Sequence, residues 1–151
     1  MVGSPAATIL EDLVETLEDG RQGFKTAAEK LDDDGYPELA QRMTQYSDQR
    51  ARLSAELREI ALTEGIVIED QGSVGAALHR SWMTLTDTLT GDRAHAVLSA
   101  AESGEDHAVT EFNKALRNDD LPIDWRPVIN AQAEAVRSAH DEVRALRDQV
   151  R

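Results

Sequence analysis

Small and apolar residues recur along this chain at steps of alternately three and four. In the first stretch they are Leu10, Leu13, Leu17, Gly20, Phe24, Ala27 and Leu31. Residues spaced in this way share one face of an α-helix, whereas a strand would need a period of two. A second stretch repeats the pattern with Leu39, Met43, Tyr46, Arg50, Leu53, Leu57 and Ile60. Each stretch covers roughly 27 residues, a helix of about 40 Å at 1.5 Å per residue. Helices this long with one greasy face bury it against other helices, so the expected class is all-α.

The ends of these helices are written in serine, proline and glycine. Ser4-Pro5 offers an N-cap followed by proline at the first helical position. Asp32-Asp33-Asp34-Gly35 stops the first helix, Pro37 opens the second and Gly65 ends it. So short a turn forces the pair antiparallel. Residues 66–72 read as a loop, because Ile66-Val67-Ile68 is too short and isolated to support a sheet. Ser73 then caps a shorter helix carrying Val74, Leu78, Trp82, Leu85 and Leu89, closed by Thr90-Gly91. Asp92 caps the next, with Val97, Ala101, Gly104, Ala108, Phe112 and Ala115 or Leu116 on its face. After a loop from Asn118 to Asp124, Trp125 and Pro127 lead into the last helix. Its face carries Ile129, Gln132, Val136, Ala139, Val143, Leu146 and Val150.

Two short links and one long crossover between the pairs make the connectivity of a ferritin-like four-helix bundle. A single domain over residues 1–151 is expected from the length.

Composition narrows the chemistry. With no cysteine, the chain has no disulfide, thiolate metal site, iron–sulfur cluster or cysteine nucleophile. Asp and Glu total 29 against 16 Lys and Arg, a formal charge of −13. That surface repels phosphate backbones and carries no basic block, so nucleic acid is not an expected partner. No apolar run approaches the roughly 20 residues that cross a bilayer, so no membrane partner is expected either. Met1-Val2-Gly3-Ser4-Pro5 lacks the regions of a signal peptide, and a cytoplasmic location is the expectation. Ser99 and Ser103 lie close to Asp106 and His107 in sequence, but proximity on one helix does not build a triad. Gly72-Ser73-Val74-Gly75 lacks the spacing and lysine of a phosphate loop. The chain reads as a non-catalytic protein.

The greasy faces break near their midpoints, and antiparallel midpoints share one level. Gly20 and Gly23 interrupt the first helix, Arg50 the second, Gly104-Glu105 the fourth, and His140 stands beside Ala139 in the last. An inward Arg50 without a carboxylate would cost several kcal/mol. The expected polar core layer is Arg50 with Glu105, joined by His140 and Glu18, with Asp19 or Glu102 as further candidate partners. The alternative is an Arg50 that snorkels sideways and a Glu105 facing water.

Diiron chemistry in such bundles needs a Glu-x-x-His pair from each of two helices. The residues three before His79, His95, His107 and His140 are Ala76, Asp92, Gly104 and Arg137, so no such pair exists. No cofactor is expected; the alternative is iron or another divalent metal held by a reduced set, Glu18, Glu105 and His140. Leu78, His79, Arg80, Trp82 and Met83 make a dense patch on the crossover. It either packs on the bundle or forms an interaction surface through which the chain self-associates.

The landmarks Asp19-Gly20, Gly23-Phe24 and Ala27-Ala28-Glu29, then Gln49-Arg50 and Ala55-Glu56-Leu57, occur in order along the chain. Gly72-Ser73, Gly75, Leu78-His79-Arg80 and Trp82-Met83 follow. Gly104-Glu105-Asp106, Ala139-His140-Asp141 and Leu146-Arg147-Asp148 complete the set. With them the sequence resembles a bacterial family of ferritin-like four-helix-bundle proteins of unknown function. The resemblance implies a ferritin-like fold with its iron ligands largely absent. It also implies pairing into dimers and a link with stress or metal handling, and it brings no agreed activity. Arg21-Gln22 stands before Gly23, where acidic or polar residues are common in the family.

Overall fold

The computed structural model describes residues 4–68 and 93–150. Among them are four long helices, one 3-10 turn and no strand. We number the helices α1 (Pro5–Asp33), α2 (Pro37–Glu64), α3 (Arg93–Leu116) and α4 (Arg126–Gln149). The turn, Ile123–Trp125, leads directly into α4. The all-α four-helix expectation is met. Residues 69–92, which carry the expected crossover helix and its patch Leu78, His79, Arg80, Trp82 and Met83, lie outside the described residues.

Local chemistry accounts for the ends. Ser4 is the N-cap of α1, and its hydroxyl accepts the Ala7 N–H at 3.1 Å. This satisfies a donor that has no partner within the helix. At the far end Gly35 has φ +87°, and the N–H groups of Gly35 and Tyr36 donate to the carbonyls of Asp32 and Leu31. The same closure recurs after α2. Gly65 has φ +70°, and the N–H groups of Gly65 and Ile66 donate to Leu62 and Ala61. Both are the glycine-closed helix end in which only a residue without Cβ sits at ease.

The core falls into two apolar halves. One holds Leu10, Leu13 and Leu17 from α1 with Leu57 and Ala61 from α2. Ala108, Phe112 and Ala115 from α3, Trp125, and Ile129 and Val136 from α4 are also part of it. The other holds Phe24, Ala27 and Leu31 with Ala40, Met43, Tyr46, Ala94, Leu98, Ala101, Ala139 and Val143. Each fully buried leucine or phenylalanine contributes about 1.5–3 kcal/mol relative to exposure.

Membership of the halves fixes the topology. The start of α1, the end of α2, the end of α3 and the start of α4 share one end of the bundle. α1 packs on α2 and on α3, and α3 on α4. Side chains join α2 to α4, where the Gln132 amide donates to the Leu53 carbonyl at 3.1 Å. The four helices therefore form a square in which α2 and α3 face each other across the diagonal. Gly65 and Arg93 lie at opposite ends of the bundle.

One detail departs from the strict three-and-four pattern. On α2 the buried positions run Met43, Tyr46, Ser47, Arg50, Ser54, Leu57 and Ala61, while Leu53 and Ile60 are only half-buried. A straight helix of 3.6 residues per turn drifts about 20° per heptad against a 3.5 repeat. Over four turns that drift carries Ser54 and Ala61 inward and Leu53 and Ile60 toward the edge.

Candidate functional site

Between the two apolar halves lies a polar waist. Arg50 is 0 % exposed and Glu105 2 % exposed, the most deeply buried charges among the described residues. Arg50 Nη1 donates to Glu105 Oε1 at 2.6 Å and Nη2 to Oε2 at 2.5 Å. The fork of a guanidinium matches the two oxygens of a carboxylate, and this geometry is the strongest that the two groups can form. The pair runs from α2 to α3, so it spans the diagonal through the centre of the bundle. Arg50 Cζ also sits 5.2 Å from the centre of the Phe24 ring, whose electron-rich face suits a cation.

Small residues make room for it. A Cβ on Gly20 would stand 3.1 Å from Arg50 Nη1, a tight contact to which the guanidinium would have to yield by a few tenths of an ångström. Glycine here leaves the path along which the arginine crosses α1. Beside it, the Ser47 hydroxyl donates to the Arg21 carbonyl at 2.9 Å, tying α2 to α1 at the same level. A cavity of about 20 Å³ opens between α1 and α3, lined by Thr16, Asp19, Gly20, Gly23, Glu105 and His107 among others. That is room for about one water molecule. Burial, with the charges of Glu15 and Glu18, pushes the Asp19 carboxyl up to about 6. A carboxylate crowded by others on a half-buried helix face resists ionisation.

Two expected members of the layer are elsewhere. Glu18 is a third exposed and accepts from Arg21, three residues on, at 3.0 Å. It lies on the flank of α1, and with one residue per 100° of helix it cannot share the inward face of Leu17 and Gly20. His140 is also displaced, to the groove between α3 and α4. There Nε2 lies 2.5 Å from Asp106 Oδ1 and Nδ1 lies 3.1 Å from Asp141 Oδ1. Ala139, not His140, holds the inward position. The set Glu18, Glu105 and His140 is therefore not brought together. Each is engaged by a different partner, and among the described residues no three His, Asp or Glu are grouped as metal ligands. The other candidates for Arg50 go separate ways: Glu102 meets Arg147 and Arg144, and Asp19 lines the cavity.

Away from the waist α4 makes further pairs with its neighbours. Arg147 donates to Glu102 of α3, and Arg42 of α2 donates to Glu142. Gln132 donates to Glu56 at 2.8 Å as well as to the Leu53 carbonyl. A signal for the α3–α4 pairs was present. Glu102 and Asp106 stand four apart on one helix, His140 and Arg144 four apart on the other, so each pair forms a stripe of one sign.

Comparison with family models matches residues 5–118, which take in α1, α2 and α3, to a family described as Domain of unknown function (DUF2383). Comparisons with curated proteins and with solved structures found no match. The matched span is well over half of the chain, and the chain belongs to that family.

Proposed function

We propose that this member of the DUF2383 family is a non-catalytic, ferritin-like helical bundle that self-associates. In this reading an ion pair fills the waist, where a diiron relative would hold metal. The observation that carries it is the Arg50–Glu105 fork. Among the described residues Glu105 is the one fully buried carboxylate, and both its oxygens are taken by a guanidinium. A dication placed beside that guanidinium would meet like charge in a medium of low dielectric. The ferritin-like part of the reading is supported by connectivity. Two antiparallel hairpins are joined between bundle ends, since Gly65 and Arg93 lie at opposite ends. Self-association rests on the family resemblance; the rival reading is a stress-related adaptor whose partner docks on the crossover through Leu78, His79, Arg80, Trp82 and Met83, a patch dense in apolar side chains.

Elemental analysis of untagged protein, read together with anomalous scattering from crystals, tests the waist. Transition metal far below one equivalent is expected. Stoichiometric iron, zinc or manganese at the bundle centre would overturn the reading. Light scattering tests self-association, for which a dimer mass is expected and a monomer at every concentration is the contrary result.

A further inference from the structure

The contacts of His140 demand a particular protonation state. Its side chain is 12 % exposed, with one carboxylate oxygen against each ring nitrogen. Ionised carboxylates only accept hydrogen bonds, and a neutral imidazole has a single N–H to offer. A neutral ring would thus aim a lone pair at either Asp106 or Asp141. Only the imidazolium, with two N–H groups, satisfies both. The surrounding charge favours the same form. From α3 come Glu102 and Asp106, and from α4 come Asp141, Arg144, Arg147 and Asp148, with Arg144 shared between Asp141 at 3.0 Å and Glu102 at 3.8 Å. On the flank toward α2, Glu142 is taken by Arg42. Burial lowers the affinity of the ring for a proton, but the bonds to Asp141 and Asp106 outweigh it, and His140 is raised above its ordinary value.

We propose that His140 is a proton-controlled clasp that docks the C-terminal half of α4 on α3 and loosens that half when the proton leaves. The Asp106 bond crosses between helices, whereas the Asp141 bond stays within α4. Loss of the proton takes the charge out of the inter-helix bond and turns a ring lone pair toward one of the two carboxylates. α4 is then held to α3 here by the arginine pairs, the apolar contacts of Ala139 and Val143, and at most one hydrogen bond from an uncharged donor. Because the folded value lies above the unfolded one, the clasp is fully engaged below the ordinary histidine value of about 6.5. It is lost as pH rises through the higher value in the folded chain. The helix it releases carries Ala139 and Val143 in the core, and it lies beyond the span matched to the family. The device thus acts on the helix that closes the bundle, next to a core that is otherwise apolar.

An NMR titration of the intact chain tests this without a variant. Nitrogen shifts of the His140 ring should report both nitrogens protonated near pH 6. The midpoint should lie above that of a free histidine. Protection factors for amides 139–147, corrected for intrinsic exchange, should fall about threefold to fivefold across that midpoint. Those for α1 should not move with it. His140→Gln keeps a side-chain donor without the titration and should remove the step in protection. A ring that titrates at or below the ordinary value would overturn the clasp. So would α4 protection that is flat across the midpoint in the wild type, or a step that persists in His140→Gln.

Discussion

The waist and the outer face of α4 use the same groups in opposite circumstances. At the waist Arg50 and Glu105 are out of water and forked together. On the outer face of α4, Arg147 and His140 meet Glu102 and Asp106 of α3, and Glu142 meets Arg42 of α2, within reach of solvent. Removing one partner from a buried pair strands the other in low dielectric, while water rescues a stranded surface charge. The waist therefore fixes which way the helices face, and the α4 surface only adjusts how tightly one helix is held. Register belongs to the buried pair.

The largest effect should follow from cutting that pair. Glu105→Ala is expected to lose about 3–5 kcal/mol in urea unfolding, because Arg50 is left buried without its carboxylate. Replacing both, as Arg50→Met with Glu105→Leu, should return stability to within about 1 kcal/mol of wild type or above it. If the single variant costs no more than a surface substitution, the contrast between the two regions is gone.

Gly20→Ala sharpens the same point. In the wild type its Cβ would press on Arg50 Nη1, and the forked guanidinium cannot withdraw without loosening its grip. A loss of about 1 kcal/mol is expected. In the Arg50→Met, Glu105→Leu background the same change should instead gain up to about 1 kcal/mol, the ordinary advantage of alanine in a helix. A double-mutant cycle reads the difference, and equal effects in both backgrounds would deny the steric link.

Asp19 stands at the edge of the waist, where burial and the charges of Glu15 and Glu18 hold its carboxyl at about 6. Its folded value exceeds its ordinary one, so ionisation costs stability as pH rises toward and past 6, and that cost disappears at acid pH. Asp19→Asn should gain about 1 kcal/mol at pH 7, a figure reduced for solvent screening, with the gain gone by about pH 4. Unfolding midpoints at the two pH values check it. An unchanged or lower stability at pH 7 would argue for a favourable partner of the Asp19 carboxylate.

The smallest effect belongs to the surface. Arg42→Ala removes a half-exposed contact with Glu142 and should cost at most about 1 kcal/mol. The loss should shrink toward zero at 1 M salt, where the screening length is about 3 Å. Glu105→Ala should keep its cost under the same salt. Parallel salt series on the two variants would separate buried from exposed electrostatics most directly.

Much of this could be read before any coordinates. Ser4, Gly35 and Gly65 mark helix ends through their own backbone chemistry, and the caps sit at those residues. Arg50 on an apolar face of α2 announces a buried charge, because its position relative to Met43 and Leu57 depends only on helical geometry. The errors share a cause. A strict three-and-four spacing puts Leu53 and Ile60 on the inward face of α2, where the drift of a 3.6-residue turn brings Ser54 and Ala61 instead. Glu18 and His140 stand at the level of the waist, yet level along the axis says nothing of direction around it. Both are at the correct height and on the wrong side.

By itself the sequence determined four long helices, where they stop, and that a guanidinium lands among greasy side chains halfway along one of them. Those features follow from spacing and caps within a continuous segment, which hydrogen bonds between near neighbours enforce. Between the Arg50–Glu105 pair and a snorkelling Arg50 the sequence leaves the choice open, and only the tertiary structure decided for the pair, for Gly20 clearing its path, and for His140 facing Asp106 in an outer groove. The rotation of one helix against another far away in the chain is set by how their surfaces pack, and no local spacing encodes it.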